Sequence, residues 1–483
     1  MTDLEKYFSF YRNNTIGIDQ TFESPFGTKK ILYADWLASG RLYRPIEEKM
    51  LNEFGPFVAN THSETSETGA LMTRAYQLSH QIIKRHVNAG PNDVIITAGF
   101  GMTAVINKFQ RILGLKSCKQ YARLQEKPVV FITHMEHHSN QTSWYETTAD
   151  VVMIEPDENL LVDPENLRKK LEEYRDRTFK IGSFTACSNV NGIRTPYYEL
   201  AMIMHEHGGV AFIDFAASAP YDEINMHPDN PMMKLDAVMF SPHKFLGGPG
   251  SSGVLVFDKS MYHNPVPDHP GGGTVDWTNP WGKYKYVDNI EVREDGGTPG
   301  FLQSIKTALC FQLKDRMGVN NILAREHELL QLAFTGLDNI PEVKILAANE
   351  RARLAVISFY VPGIHYNLLV QLLNDLYGIQ VRGGCACAGT YGHFLLAVDA
   401  ERSSEITEQI NRGDLSEKPG WVRWSLHPTM TNEEVSIFIE GLKDIIGNIG
   451  LYQNYYEAVP RTNFFRHREE KNYHREVENW FAL

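Results

Sequence analysis

Seven short apolar runs, at residues 94–97, 129–133, 151–154, 180–185, 210–214, 237–240 and 253–257, alternate with helix-like stretches. Amphipathic segments at 102–113, 164–175 and 197–206 lie between several of them. Strands alternating with helices need crossover connections, and such connections build a largely parallel sheet covered by helices. Local punctuation agrees. Asp163-Pro164 reads as an N-cap followed by proline at the first helical position. Gly208-Gly209 reads as a helix stop. Farther on, residues 301–330 read as one long helix, and 354–360, 365–377, 421–426 and 431–446 as strand, helix, strand and helix. Thr431 and Glu434 have capping-box spacing at the last of these.

This pattern predicts an α/β protein with a large domain around a mainly parallel seven-stranded sheet and a smaller C-terminal α/β domain. The expected division is 1–30 as an N-terminal segment joining the small domain, 31–300 as the large domain, 301–450 as the small domain, and 451–483 as a docked helical arm. Residues 265–300, rich in Gly, Pro, Trp and Asp, read as a long functional loop whose aromatics need something to pack on. A chain of 483 residues exceeds what one core usually serves. Its net charge of -12 argues against nucleic-acid binding. Five cysteines without framework spacing suggest reduced thiols in the cytoplasm rather than disulfides. Residues 1–6 lack a secretory pattern, and no apolar run is long enough to span a bilayer, so no membrane association is expected.

Several residues stand where chemistry is done. Lys244 follows the run 237–240 and precedes Gly247-Gly248-Pro249-Gly250. An amine there can become a nucleophile and form a Schiff base with an aldehyde cofactor if its surroundings lower its pKa. Taken alone it reads more readily as a solvated loop lysine, and the residues that follow reverse that balance. Asp214 ends the run 210–214, where ligands gather beyond the carboxyl ends of strands. It could pair with a protonated ring nitrogen or cap a turn. His137, in Glu136-His137-His138, could stack on a planar cofactor. Adjacent histidines rarely converge on one ion, and no metal site is expected. Gly99-Phe100-Gly101-Met102-Thr103 opens a helix with free N–H groups and a hydroxyl suited to phosphate. Arg423, flanked by Trp421 and Trp424, needs an anionic partner, either a substrate carboxylate or a buried Asp or Glu. In Arg382-Gly383-Gly384-Cys385-Ala386-Cys387, glycines surround two thiols that could act as nucleophiles near Arg382 and His393, or pack as small apolar residues.

Taken in order, these residues resemble the class V members of the fold-type-I pyridoxal phosphate enzymes, and among them the group II cysteine desulfurases and selenocysteine lyases. The resemblance covers roughly residues 30–446. It implies pyridoxal 5'-phosphate as cofactor and an amino acid as substrate. It implies Lys244 as the Schiff-base lysine, His137 over the ring, Asn189 as a cofactor contact and Asp214 on the pyridine nitrogen. Phosphate contacts map to Met102, Thr103, Ser241 and His243, and to Thr298 across a homodimer with shared sites. Arg423 and Arg382 would serve the substrate, with His62 in an early Asn-x-His stretch. Cys387, five residues after Arg382, takes the position of the catalytic thiol that carries sulfur as a persulfide, and a sulfur-acceptor protein is an implied partner. The alternative is another class V reaction that uses no thiol. The chain departs from the family by Ala217 in place of a glutamine, by Cys385-Ala386 in place of histidines, by a longer stretch at 389–421, and by the tail after 451.

Overall fold

The computed structural model of the chain describes residues 1–61, 63–116, 127–469 and 473–482. Seven strands form its central sheet: β1 (Asp93–Ala98), β2 (Val129–Thr133), β3 (Asp150–Ile154), β4 (Lys180–Thr185), β5 (Val210–Asp214), β6 (Ala237–Phe240) and β7 (Gly253–Asp258). Their spatial order is β1-β7-β6-β5-β4-β2-β3. Strands β3, β2, β4, β5 and β6 pair in parallel, and β7 runs antiparallel to both β6 and β1. Each expected strand is present, with bounds moved by at most one residue at an end. Successive side chains of a strand point to opposite faces. Val129 and Phe131 accordingly enter one apolar layer, while Val130 and Ile132 enter the other.

A second sheet is antiparallel. Its strands are β8 (Lys344–Ile345), β9 (Val356–Tyr360), β10 (Arg382–Gly384) and β11 (Trp421–Ser425), in the order β8-β9-β11-β10. Near the N-terminus, Leu32–Tyr33 pairs in parallel with Ile379–Gln380, and Arg12 bonds Glu434 at 2.8 Å. Both contacts tie the start of the chain to this smaller sheet's surroundings. The indole of Trp424 stacks on Phe438 with centroids 3.7 Å apart, joining β11 to the helix Asn432–Gly447. That helix starts with the expected capping box of Thr431 and Glu434.

Two expectations fail. The helix expected at 301–330 is two helices, Phe301–Met317 and Val319–Asp338, broken at Gly318 with φ of 74°. Only glycine adopts that left-handed backbone at little cost. The tail is not a helical arm throughout. After the short helix Ile449–Tyr452, the strands Tyr456–Ala458 and Phe465–His467 form an antiparallel hairpin, and a helix returns only at Tyr473–Trp480. Tyr456 Oη donates to Asp375 Oδ2 at 2.6 Å, and Asn367 Nδ2 donates to the Asn463 carbonyl at 2.6 Å. These bonds attach the hairpin to the helix Tyr366–Tyr377. The loop at 265–300 holds a hairpin of Val275–Thr278 with Tyr284–Tyr286, where Trp281 is 83% exposed.

Candidate active site

The carboxyl ends of the parallel strands converge on one cavity of about 190 Å³. β5 delivers Asp214, the turn after β6 delivers Lys244, and the turn after β2 delivers His137. The segment after β4 delivers Asn189, and the helix Met102–Ile112 after β1 delivers Met102 and Thr103. Ser241 and His243 also line the cavity, as do Arg382 and Arg423 from the second sheet. Of the residues singled out in the sequence, Thr298 lies on the exposed surface, its Oγ1 3.5 Å from Asn60 Oδ1. His62 lies outside the described residues, as does Cys118.

Electrostatics tune these groups. Burial raises Asp214 from 3.8 to about 6, against the opposing effects of the Ala216 N–H, which donates to Oδ1 at 2.8 Å, and of Lys244. Burial lowers Lys244 from 10.5 to about 8. Arg423 and Arg382 lower it further, whereas Asp214 and Asp35 oppose. The amine is therefore partly unprotonated near neutrality, as a nucleophilic lysine must be. His137 is held at about 3, by burial first and by the charge of Lys244 second. As N-cap of the helix His138–Tyr145, His137 accepts the Ser139 N–H at Nδ1. That bond places the ring hydrogen of the neutral imidazole on Nε2. Glu136, not singled out in the sequence, fixes this turn. Its buried carboxylate accepts from Thr133 Oγ1 at 2.7 Å, Thr185 N–H at 2.9 Å and Asn140 Nδ2 at 2.7 Å. Burial pushes it up to about 7.

The arginines have a partner. Arg423 Nη2 donates to Asp35 Oδ1 at 2.7 Å, and Arg382 Nε to Asp35 Oδ2 at 3.2 Å. Of the two partners open to Arg423, an acid of the chain is therefore present, the half-buried Asp35. Arg423 Nη1 donates to the Asn189 carbonyl at 3.1 Å, while its Nε is buried without a partner among the described residues. The thiol turn is closed by Ala388 N–H donating to the Cys385 carbonyl at 3.0 Å. Ala386 and Cys387 both have positive φ, 52° and 57°. Ala386 faces the cavity and accepts from Asn189 Nδ2 at 2.6 Å. Cys387 is exposed, and Cys385 borders a separate apolar cavity with Trp421 and Ile406. Both thiols are free, as are the buried Cys187 and Cys310.

The chain belongs to the class V aminotransferase family, whose model matches residues 32–438. Enzymes of this family depend on pyridoxal phosphate. A probable cysteine desulfurase of Halalkalibacterium halodurans is 28% identical over 363 residues, covering 74% of this chain and 84% of that protein. One of Staphylococcus aureus is 26% identical over 403 residues, covering 82% and 92%. The fold matches a cysteine desulfurase from Thermococcus onnurineus with a TM-score of 0.72 at 23% identity, over 91% of this chain and 98% of that one. It matches one from Escherichia coli with a TM-score of 0.71 at 20% identity, over the same shares of the two chains.

The cavity suits the family's cofactor. A Cβ at Gly101 would sit 3.0 Å from Ser241 Oγ and 3.5 Å from His243, so glycine leaves the helix start open for an anion. Asn189 Oδ1 is buried with no partner among the described residues. A polar group brought in by a ligand would satisfy it. A buried aspartate, a flat neutral imidazole and an amine of lowered pKa complete a set matched to a pyridine ring and an aldehyde. Asp35, Glu136 and Ser139 are among the site residues to which sequence reasoning gave no role, as are Thr185 and Cys187 on the cavity wall. Ser139 had a signal, since it lies in the stretch around His137.

Proposed function

We propose that the protein is a pyridoxal-phosphate-dependent cysteine desulfurase, which takes sulfur from L-cysteine and releases L-alanine. The observation that carries this reading is the partly neutral Lys244 amine in a cavity it shares with Asp214 and His137. When bound, pyridoxal phosphate supplies an electron sink conjugated to the substrate's reacting carbons. Lys244 would hold the cofactor and, when free, would take and return a proton at Nζ. Asp214 would hold a proton on the ring nitrogen. His137 would stack on the ring, and the helix start at Met102 and Thr103, with Ser241 and His243, would hold the phosphate. Arg423 orients the substrate carboxylate, with Arg382 beside it.

Cys387 is the sulfur carrier in this reading. Its thiolate attacks the substrate sulfur and the S–S bond forms. The Cβ–S bond breaks, its electron pair stays with carbon, and carbon takes a proton to give alanine. The thiol retains the sulfur as a persulfide, available to an acceptor protein. A carrier thiol must stay reduced, which fits a cytoplasmic setting. The exposed aromatics of the 275–286 hairpin and the exposed Thr298 support a homodimer that shares its sites. The Arg12–Glu434 contact supports a first segment that joins the smaller domain, and the pairing of Leu32–Tyr33 with Ile379–Gln380 extends that segment past residue 30. Purified enzyme incubated with L-cysteine and a dithiol tests the reading by its yield of alanine and sulfide. A second reading, a class V reaction without a thiol, draws on one observation: the turn presents Ala386 to the cavity while Cys387 is exposed. Full turnover in both Cys387→Ala and Cys385→Ala would select it.

A further inference from the structure

Arg382 and Arg423 are directly opposite each other in antiparallel register on β10 and β11. Like charges so placed repel. Asp35 offsets that repulsion by dividing its carboxylate between them. It comes from a distant segment, bridged in parallel to Ser425 at the end of β11. Leu37 and Ala38, just after it, line the cavity. Two guanidiniums and one carboxylate leave a single net positive charge at this end of the site. The other charged lining groups are Lys244 and Asp214, of opposite sign. His137 and His243 are neutral, because burial holds both far below the usual imidazole range. Arg423 keeps one buried donor, Nε, without a partner among the described residues.

We propose that Asp35 is a specificity-determining positioning residue. By cancelling one guanidinium charge and fixing both side chains, it makes the arginine end of the cavity accept an amino acid with one acidic group in preference to one with two. The inference rests on the reading of the cavity as an amino-acid site.

The test uses holoenzyme, with dissociation constants for L-alanine and L-aspartate read from the change in cofactor absorbance. Wild-type enzyme is expected to bind alanine more tightly. Asp35→Asn, which adds one net positive charge, should move the alanine-to-aspartate affinity ratio toward aspartate by about tenfold. The double variant Asp35→Asn with Arg382→Gln restores the net charge, and should return the ratio to within about threefold of wild type. A role confined to packing would weaken both ligands alike and leave the ratio where it was, which overturns the proposal. So does a double variant whose ratio stays shifted. Should Asp35→Asn fail to fold, a wild-type enzyme that binds aspartate as tightly as alanine overturns it equally. Failure of L-cysteine to yield alanine and sulfide, with the alanine preference intact, would sink the desulfurase reading and leave this one standing.

Discussion

Asp214→Asn should make the cofactor-free protein more stable while it destroys function. The wild-type carboxyl is 3% exposed, and burial raises it from 3.8 to about 6. Above pH 6 the folded protein holds an ionised group that the unfolded chain solvates better. At 1.36 kcal/mol per tenfold change in proton affinity, the cost at pH 8 is about 3 kcal/mol. The sign follows from linkage. A folded-state pKa above the unfolded one gives stability that is complete below pH 3.8 and is lost as pH rises through about 6. At pH 5 the cost is about half its value at pH 8. The amide removes it and keeps an acceptor for the Ala216 N–H. Urea unfolding of cofactor-free wild type and variant should show a gain of about 2–3 kcal/mol at pH 8, and a clearly smaller one at pH 5. With cofactor present, the variant loses turnover, because a neutral amide cannot hold the ring nitrogen protonated. An equal gain at both pH values, or none at pH 8, would refute burial as the cause of the raised pKa.

Lys244→Met should also stabilise the cofactor-free protein, now near neutrality. Its folded pKa of about 8 lies below 10.5, so the wild-type deficit fades as pH rises from 8 to 10.5. The stability difference between the two proteins across that window checks this, and a constant difference contradicts it. Cys387→Ala should abolish sulfide release from L-cysteine and leave cofactor absorbance unchanged, read by sulfide assay and spectrum. Retained release assigns the sulfur to another group. Gly318→Ala should cost about 1–2 kcal/mol, since it forces a left-handed backbone on alanine between two helices. A shift in urea midpoint at unchanged m-value measures it, and no shift shows that the break adjusts. Trp424→Ala should cost about 3–5 kcal/mol by emptying the stacked site on Phe438, seen by the same method.

Much of this protein is written in short-range pattern. Short apolar runs that alternate with amphipathic stretches read as strands, and β2, β4, β5 and β6 have the bounds expected from sequence. Crossover chemistry then orders most of the sheet in parallel, and parallel strands bring their carboxyl ends together. Asp214, Lys244 and His137 could therefore be named as neighbours from their places at strand ends. Long-range partners left no such trace. Asp35 meets Arg382 and Arg423 across 347 and 388 residues of chain, and nothing near Asp35 announces two guanidiniums. The hairpin at 456–467 is fixed by Asp375 and Asn367, which its own composition does not reveal. The same holds for which side of the thiol turn meets the cavity. Backbone preference and apolar periodicity act over a few residues and can be read locally. Charge balance and side-chain direction depend on which distant segments the folded core brings into contact.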